Sequence, residues 1–197
     1  NQLGGNVVTI SGPDGFVYDQ EGIKGEKIDY LLEMRSSGRD QVKDYADKFK
    51  VEFYAGKRPW SVKADIAFPC ATQNELDAND AKELLKNGCV CVTEGANMPA
   101  TLDAAKIFID AKVLYSQGKA SNAGGVATSG LEMSQNSMRL PWSKDEVDMR
   151  LHEIMRNIHR TCVETAEKYG VPGNYVIGAN IGGFLKVANA MLDQGLV

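Results

Sequence analysis

A chain of 197 residues, 43% hydrophobic and 24% charged, has the composition of an ordinary globular protein with enough apolar material to bury a core of its own. Its formal charge of −4 excludes the basic surface that a nucleic-acid groove binder requires, so no nucleic-acid partner is expected. No run of about 18 apolar residues stands out, and Asn1-Gln2-Leu3-Gly4-Gly5 lacks the charged and apolar regions of a secretory signal, so neither a membrane partner nor secretion is expected.

The chain starts without methionine and reaches an apolar strand within a few residues, which is the expectation for a piece of a longer chain. Val7-Val8-Thr9-Ile10, ended by the turn signal Ser11-Gly12-Pro13-Asp14-Gly15, reads as a buried strand of a parallel sheet. Ile28, Leu31, Leu32 and Met34 recur at helical spacing and are closed by Ser36-Ser37-Gly38. A short helix over residues 41–49 leads into the strand Val51-Glu52-Phe53-Tyr54. Ala64-Asp65-Ile66-Ala67-Phe68-Pro69 is a strand stopped by proline. A helix over 80–86 takes Gly88 as its C-cap, and a strand over 90–93 runs into Glu94-Gly95-Ala96-Asn97. A helix over 102–111 and the strand Val113-Leu114-Tyr115 follow. This alternation predicts an α/β fold with a mainly parallel sheet.

From about Asn122 no further strand is visible. Asn122-Ala123-Gly124-Gly125 opens a helix toward Arg139, and Ser143-Lys144-Asp145-Glu146 resembles a capping box for a long helix over 144–169. Gly170-Val171-Pro172-Gly173 ends it, and a last helix covers residues 175–192. Cys70, Cys89, Cys91 and Cys162 lack disulfide-framework density and supply no metal spacing, so buried reduced thiols and no metal are expected. His152 and His159 read as packing or surface residues, and Met133, Met138 and Met149 as core filler.

Three strand ends carry small or polar residues: Pro69-Cys70-Ala71-Thr72-Gln73-Asn74, Glu94-Gly95-Ala96-Asn97-Met98-Pro99 and Lys119-Ala120-Ser121-Asn122-Ala123-Gly124-Gly125. In an open α/β sheet, ligands sit in the crevice beyond the carboxyl ends of the strands. Small residues admit a flat cofactor to the backbone, and Asn and Thr can bind ribose hydroxyls or a carboxamide. Taken singly, each loop reads equally as an ordinary turn or helix cap.

Together, Cys70 to Leu76 (CATQNEL), Glu94 to Ala100 (EGANMPA), Asn122 to Asn136 (NAGGVATSGLEMSQN) and Gly178 to Gly182 (GANIG) resemble the C-terminal half of hexameric, bacterial-type glutamate dehydrogenases. The resemblance implies an incomplete Rossmann-like dinucleotide-binding domain over residues 1–173. Its first strand and glycine-rich turn would lie before Asn1, and residues 174–197 would be a C-terminal helix returning to the substrate domain. It further implies a cytoplasmic homohexamer that converts L-glutamate to 2-oxoglutarate and ammonia while passing hydride to a nicotinamide cofactor. By motif, Ala71, Thr72 and Asn97 should line the ribose and nicotinamide path, and Asn122 should approach the carboxamide. Val126 and Ser129 should border the glutamate side chain, with the Ser129 hydroxyl donating to its γ-carboxylate. The catalytic residues are expected upstream, so these residues alone should be inactive. At the Gly12-Pro13-Asp14-Gly15 turn, Pro13 removes a donor and Asp14 repels a 2′-phosphate, which implies NAD, with NADP or dual use open. Two rival readings are an amino-acid dehydrogenase of the leucine or phenylalanine type and a non-catalytic nucleotide-binding module. Met98-Pro99 and Ser129 favour glutamate over the former.

Overall fold

Gly12 and Gly15 bracket a two-residue turn, and that spacing decides the first part of the structure. A computed structural model describes residues 1–195, which divide into one compact unit over Asn1–Lys63 and another from Ala64 onward. In the first, strand β1 (Thr9–Gly12) folds back on β2 (Gly15–Tyr18), with Gly12 opposite Gly15 and Thr9 opposite Tyr18. A two-residue connection closes only an antiparallel hairpin, since a parallel partner needs a crossover of a dozen residues or so. The expected buried parallel strand at residues 7–10 is therefore the half-exposed outer arm of a hairpin. The buried arm is Gly15-Phe16-Val17, which the sequence reading passed over. Gly15 has φ 144°, and a Cβ there would lie 2.2 Å from the Tyr54 carbonyl oxygen, so glycine is required by both backbone and space.

After helices α1 (Glu26–Ser36) and α2 (Lys43–Phe49), strand β3 (Glu52–Ala55) pairs antiparallel with β2. Phe16 and Tyr54 face one another in that register and stack at 4.7 Å between ring centroids. Val17, Ile23, Met34, Val42, Tyr45 and Ala46 form the core, edged by Ile10, Ile28, Leu31 and Phe53. One buried polar group interrupts it. Asp19 accepts hydrogen bonds from Lys27 Nζ and Tyr45 Oη, each at 2.7 Å. Burial pushes its carboxyl upward, but the bonds from Lys27 and Tyr45 and the lysine charge outweigh that and hold it below the usual carboxylate range.

The second unit is built on a parallel sheet of β4 (Ile66–Ala67), β5 (Cys91–Thr93) and β6 (Leu114–Ser116), in that order. Ala67, Val92 and Tyr115 make a buried row across it, whereas Ile66 and Leu114 in the neighbouring row are exposed. Helix α3 (Ala78–Lys86) opens with a reciprocal capping box between Asp77 and Asp80. Gly88 follows its C-cap Asn87 in a left-handed conformation at φ 84°. Helix α4 (Leu102–Asp110) is capped by Thr101 and buries Ala104 and Phe108. The short helix α5 (Gly118–Ser121) leads into α6 (Ala123–Met138), then α7 (Lys144–Lys168), capped by Ser143, and α8 (Tyr175–Gln194). The α/β class with a parallel sheet and C-terminal helices stands, with the antiparallel sheet of the first unit added to it.

Three expectations change. Met133, Met138 and Met149 are exposed rather than core filler, because the faces of α6 and α7 that carry them have no packing partner among the described residues. Cys70 is exposed, while Cys89 and Cys162 are buried as expected and Cys91 is half-buried; all four thiols are free. Helix α8 is long and apolar enough by length and composition to cross a membrane, with 6% of that window buried. Its Asn180, Lys186 and Asn189 break any continuous apolar run, which is why the sequence alone showed none. Residues 196–197, which the expected C-terminal segment included, lie outside the described residues.

Candidate functional site

The carboxyl ends of β4, β5 and β6 converge on one open cleft. Pro69 stops β4, and its carbonyl accepts from the backbone N–H groups of Gly95 (2.9 Å) and Ala96 (3.1 Å) just past β5. The two loops are stitched further out by Asn74 N–H to Met98 O and Leu76 N–H to Pro99 O, each at 3.0 Å. Ala71 N–H donates to Glu75 Oε1 at 2.8 Å, curling the β4 loop on itself. From the third loop, Asn122 Nδ2 reaches across to Asn97 Oδ1 at 2.7 Å and Ala96 O at 3.3 Å.

These contacts frame an open cavity of about 390 Å³ lined by Ala71, Thr72, Gln73, Gly95, Ala96, Asn97 and Asn122. Its walls are narrow by construction. A Cβ on Gly95 would meet Cys70 Sγ at 2.5 Å, and one on Gly118 would meet the Ala96 carbonyl at 2.5 Å. The lining carries amides, a hydroxyl and backbone but no charged side chain. It can therefore hold a flat ligand bearing hydroxyls or an amide, and it offers neither a general base nor a nucleophile. Cys70 beside it is exposed as a residue, but its sulfur packs against Gly95 and that local loss of water pushes the thiol up, so it is a poor thiolate. No group of three or more His, Cys, Asp or Glu suited to a metal exists among the described residues.

Of the sequence-derived site residues, the structure brings Ala71, Thr72, Asn97 and Asn122 together around this cavity. Val126 and Ser129 lie one turn apart on α6, both exposed and outside the lining, with Ser129 Oγ donating to Gly125 O at 3.4 Å. Pro13 and Asp14 form the hairpin turn of the first unit. There Asp14 Oδ1 and Oδ2 accept from the backbone N–H groups of Val42 (3.0 Å) and Lys43 (2.9 Å), so the carboxylate caps α2. Sequence reasoning missed that bond because it joins residues 28 and 29 positions apart. It named the loops that carry Gln73, Gly95 and Ala96 but gave these three residues no individual role. The glycine and alanine between a strand and an asparagine were the signal for close approach that the loop reading used.

An open α/β sheet with an uncharged, amide-lined cleft at its strand ends has the place and the donors to hold a flat, hydrogen-bonding ligand. The chain belongs to the Glutamate/Leucine/Phenylalanine/Valine dehydrogenase family, whose family model matches residues 1–195. It is 60% identical over 201 residues to the NAD-specific glutamate dehydrogenase of Bacteroides fragilis. It is 52% identical over 196 residues to the NADP-specific glutamate dehydrogenase of Escherichia coli. All of this chain but 44% of each relative is covered, so the chain spans less than half the length of the relatives it matches. A solved glutamate dehydrogenase with 51% identity superposes with a TM-score of 0.96 over the whole chain and 44% of its own length. The Plasmodium falciparum enzyme gives 0.96 at 43% identity, covering 100% of this chain and 42% of its own.

Proposed function

We propose that this chain supplies the cofactor-holding part of an NAD-dependent glutamate dehydrogenase that oxidatively deaminates L-glutamate to 2-oxoglutarate and ammonia. The observation that carries the reading is the Asn97–Asn122 amide pair at the rim of an uncharged cavity at three strand ends. A dinucleotide's ribose and carboxamide are flat, neutral and rich in donors and acceptors, and the lining fits them without a charged partner. In this reading Ala71, Thr72 and Asn97 line the ribose and nicotinamide path, and Asn122 turns its amide to the carboxamide. When bound, the nicotinamide supplies the hydride acceptor. The chain's own residues orient it and keep the backbone close at Gly95.

Cofactor choice rests on Pro13 and Asp14. Two of the Asp14 lone pairs are taken by α2, which leaves acceptor capacity for ribose hydroxyls and none of the donors that a 2′-phosphate needs. Relatives of comparable identity are named NAD-specific and NADP-specific, so this turn rather than overall similarity is the basis for NAD, with dual use as the second arm of the test. The homohexameric assembly, the cytoplasmic site of action and the return of α8 to a substrate domain belong to the same proposal. The family spans leucine and phenylalanine enzymes as well; glutamate is favoured because the relatives above 50% identity carry that name.

The test is amino-acid-dependent reduction of NAD and NADP by the protein as its gene encodes it. Glutamate with NAD is expected to be the fastest pair, and faster turnover of leucine or phenylalanine would overturn the assignment. Ser129→Ala is expected to raise the KM for glutamate roughly tenfold, the loss of one hydrogen bond to a carboxylate. The KM for the cofactor should not move. Unchanged glutamate kinetics would remove the hydroxyl from the substrate pocket.

A further inference from the structure

Glu94 is 1% exposed directly after β5 and before the cavity-lining residues 95–97, and its carboxylate is held by neutral donors. A buried carboxylate is costly, so what it holds matters. Its Oε1 accepts from Tyr115 Oη at 2.5 Å, and its Oε2 accepts from the backbone N–H of Gly118 at 2.7 Å. Its backbone N–H donates to Ser116 O at 3.1 Å, and its carbonyl accepts from Ser121 Oγ at 2.6 Å. Residue 94 thus binds the segment 115–121 at four points. Gly118 opens α5, and its carbonyl in turn accepts from Asn122 N–H at 2.7 Å. Gly118 also sits so close to Ala96 O that no Cβ fits between them.

We infer that Glu94 is a positioning residue for the cofactor cavity: its carboxylate locks the start of α5 and so fixes how Asn122 is aimed across the cleft at Asn97. The carboxylate itself touches no ligand and transfers no proton. It sets the width of the gap through Gly118 and the direction of the Asn122 amide through the single turn between them. Tyr115 serves the same end from the other oxygen. Burial and the adjacent carboxylate push its phenol well above the usual tyrosine range, so it stays a donor at any physiological pH. The inference rests on the reading of the cavity as a nicotinamide cofactor site.

Glu94→Gln keeps the shape, and its amide oxygen can still accept from Gly118, but the charge is gone and Tyr115 must turn from donor to acceptor. In the protein as its gene encodes it, this variant is expected to weaken NAD binding about tenfold, the scale of one charge-assisted hydrogen bond. The KM for glutamate should stay within about twofold, since α6 carries that pocket in the proposed reading. Tyr115→Phe, which removes one bond and leaves the fold's volume intact, should weaken NAD binding less, by roughly threefold. The decisive arm is the cycle with Asn122→Ala. If Glu94 acts through Asn122, Glu94→Gln adds no further loss of NAD affinity in the Asn122→Ala background. Losses that multiply independently, or NAD affinity unchanged by both Glu94→Gln and Tyr115→Phe while Asn122→Ala weakens it, overturn the inference. NAD affinity unchanged by Asn122→Ala itself overturns the reading of the cavity instead. Should Glu94→Gln fail to fold, the same cycle run with Tyr115→Phe decides the matter.

Discussion

Asp19→Ala is expected to cost the first unit about 3 kcal/mol, the lower end for breaking a buried ion pair, because Lys27 keeps 16% of its side chain in solvent. The loss strands the Tyr45 hydroxyl and leaves the Lys27 ammonium only a long 3.5 Å bond to the Gly22 carbonyl and the exposed Glu21 carboxylate at 3.9 Å. Asp19→Asn retains one carbonyl acceptor and should cost about half as much. Hydrogen exchange of the β2 and α2 amides reads this unit separately from the other. The pH dependence follows in sign. The folded carboxyl titrates below the unfolded one, so its contribution is complete above the unfolded range near pH 4 and disappears as pH falls through the lower folded value. The gap between wild type and Asp19→Ala should therefore close in acid. A loss under about 1 kcal/mol at neutral pH would mean that water reaches the pair, and a gap that does not narrow on acidification would mean that the carboxylate charge is not its source.

The second large effect is expected at the crossing of α7 and α8. A Cβ on Gly178 would lie 2.0 Å from the Cys162 carbonyl oxygen and 3.2 Å from Ala166 Cβ, so the two helices meet backbone to backbone at this point. Gly178→Ala forces them apart and is expected to cost about 3 kcal/mol, the upper part of the overpacking range. That corresponds to a fall in Tm of roughly 10 °C for a chain of this size. Gly183 on the same helix has nothing within 4 Å of its would-be Cβ. Gly183→Ala should leave stability unchanged or raise it by up to about 1 kcal/mol through helix propensity. Equal effects of the two substitutions would place the helix crossing elsewhere.

Helices were the most legible part of the chain, because capping residues and apolar spacing both act within a few residues. Ser143 announced its helix and caps it, while Asp77 and Thr101 cap theirs without having been singled out in the sequence. The hairpin at residues 9–18 was misread for a related reason. A β-branched run ending in glycine and proline looks the same whether the next element is a helix or a second strand. Only the count between Gly12 and Gly15 separates the two, and it carried more information than the apolar run. The exposed methionines show the converse limit. Periodicity says which face of α6 or α7 is apolar but not whether anything covers it. At the site, Thr72, Asn97 and Asn122 could be picked out by side-chain chemistry on loops. Glu94 could not, since its meaning comes from Tyr115 and Gly118, more than twenty residues on, which turn an acidic residue at a strand end into the brace of two loops.

Cys70 gives the chain an attachment point for a reporter. Among the described residues it is the exposed cysteine of four, and it stands against Gly95 next to the residues that line the cavity. A maleimide dye coupled there would sit next to the cleft. Because the thiol titrates high, coupling slows at neutral pH and speeds as the solution is made alkaline. A narrow wall that admits no methyl group thus doubles as a place from which ligand entry can be watched by light.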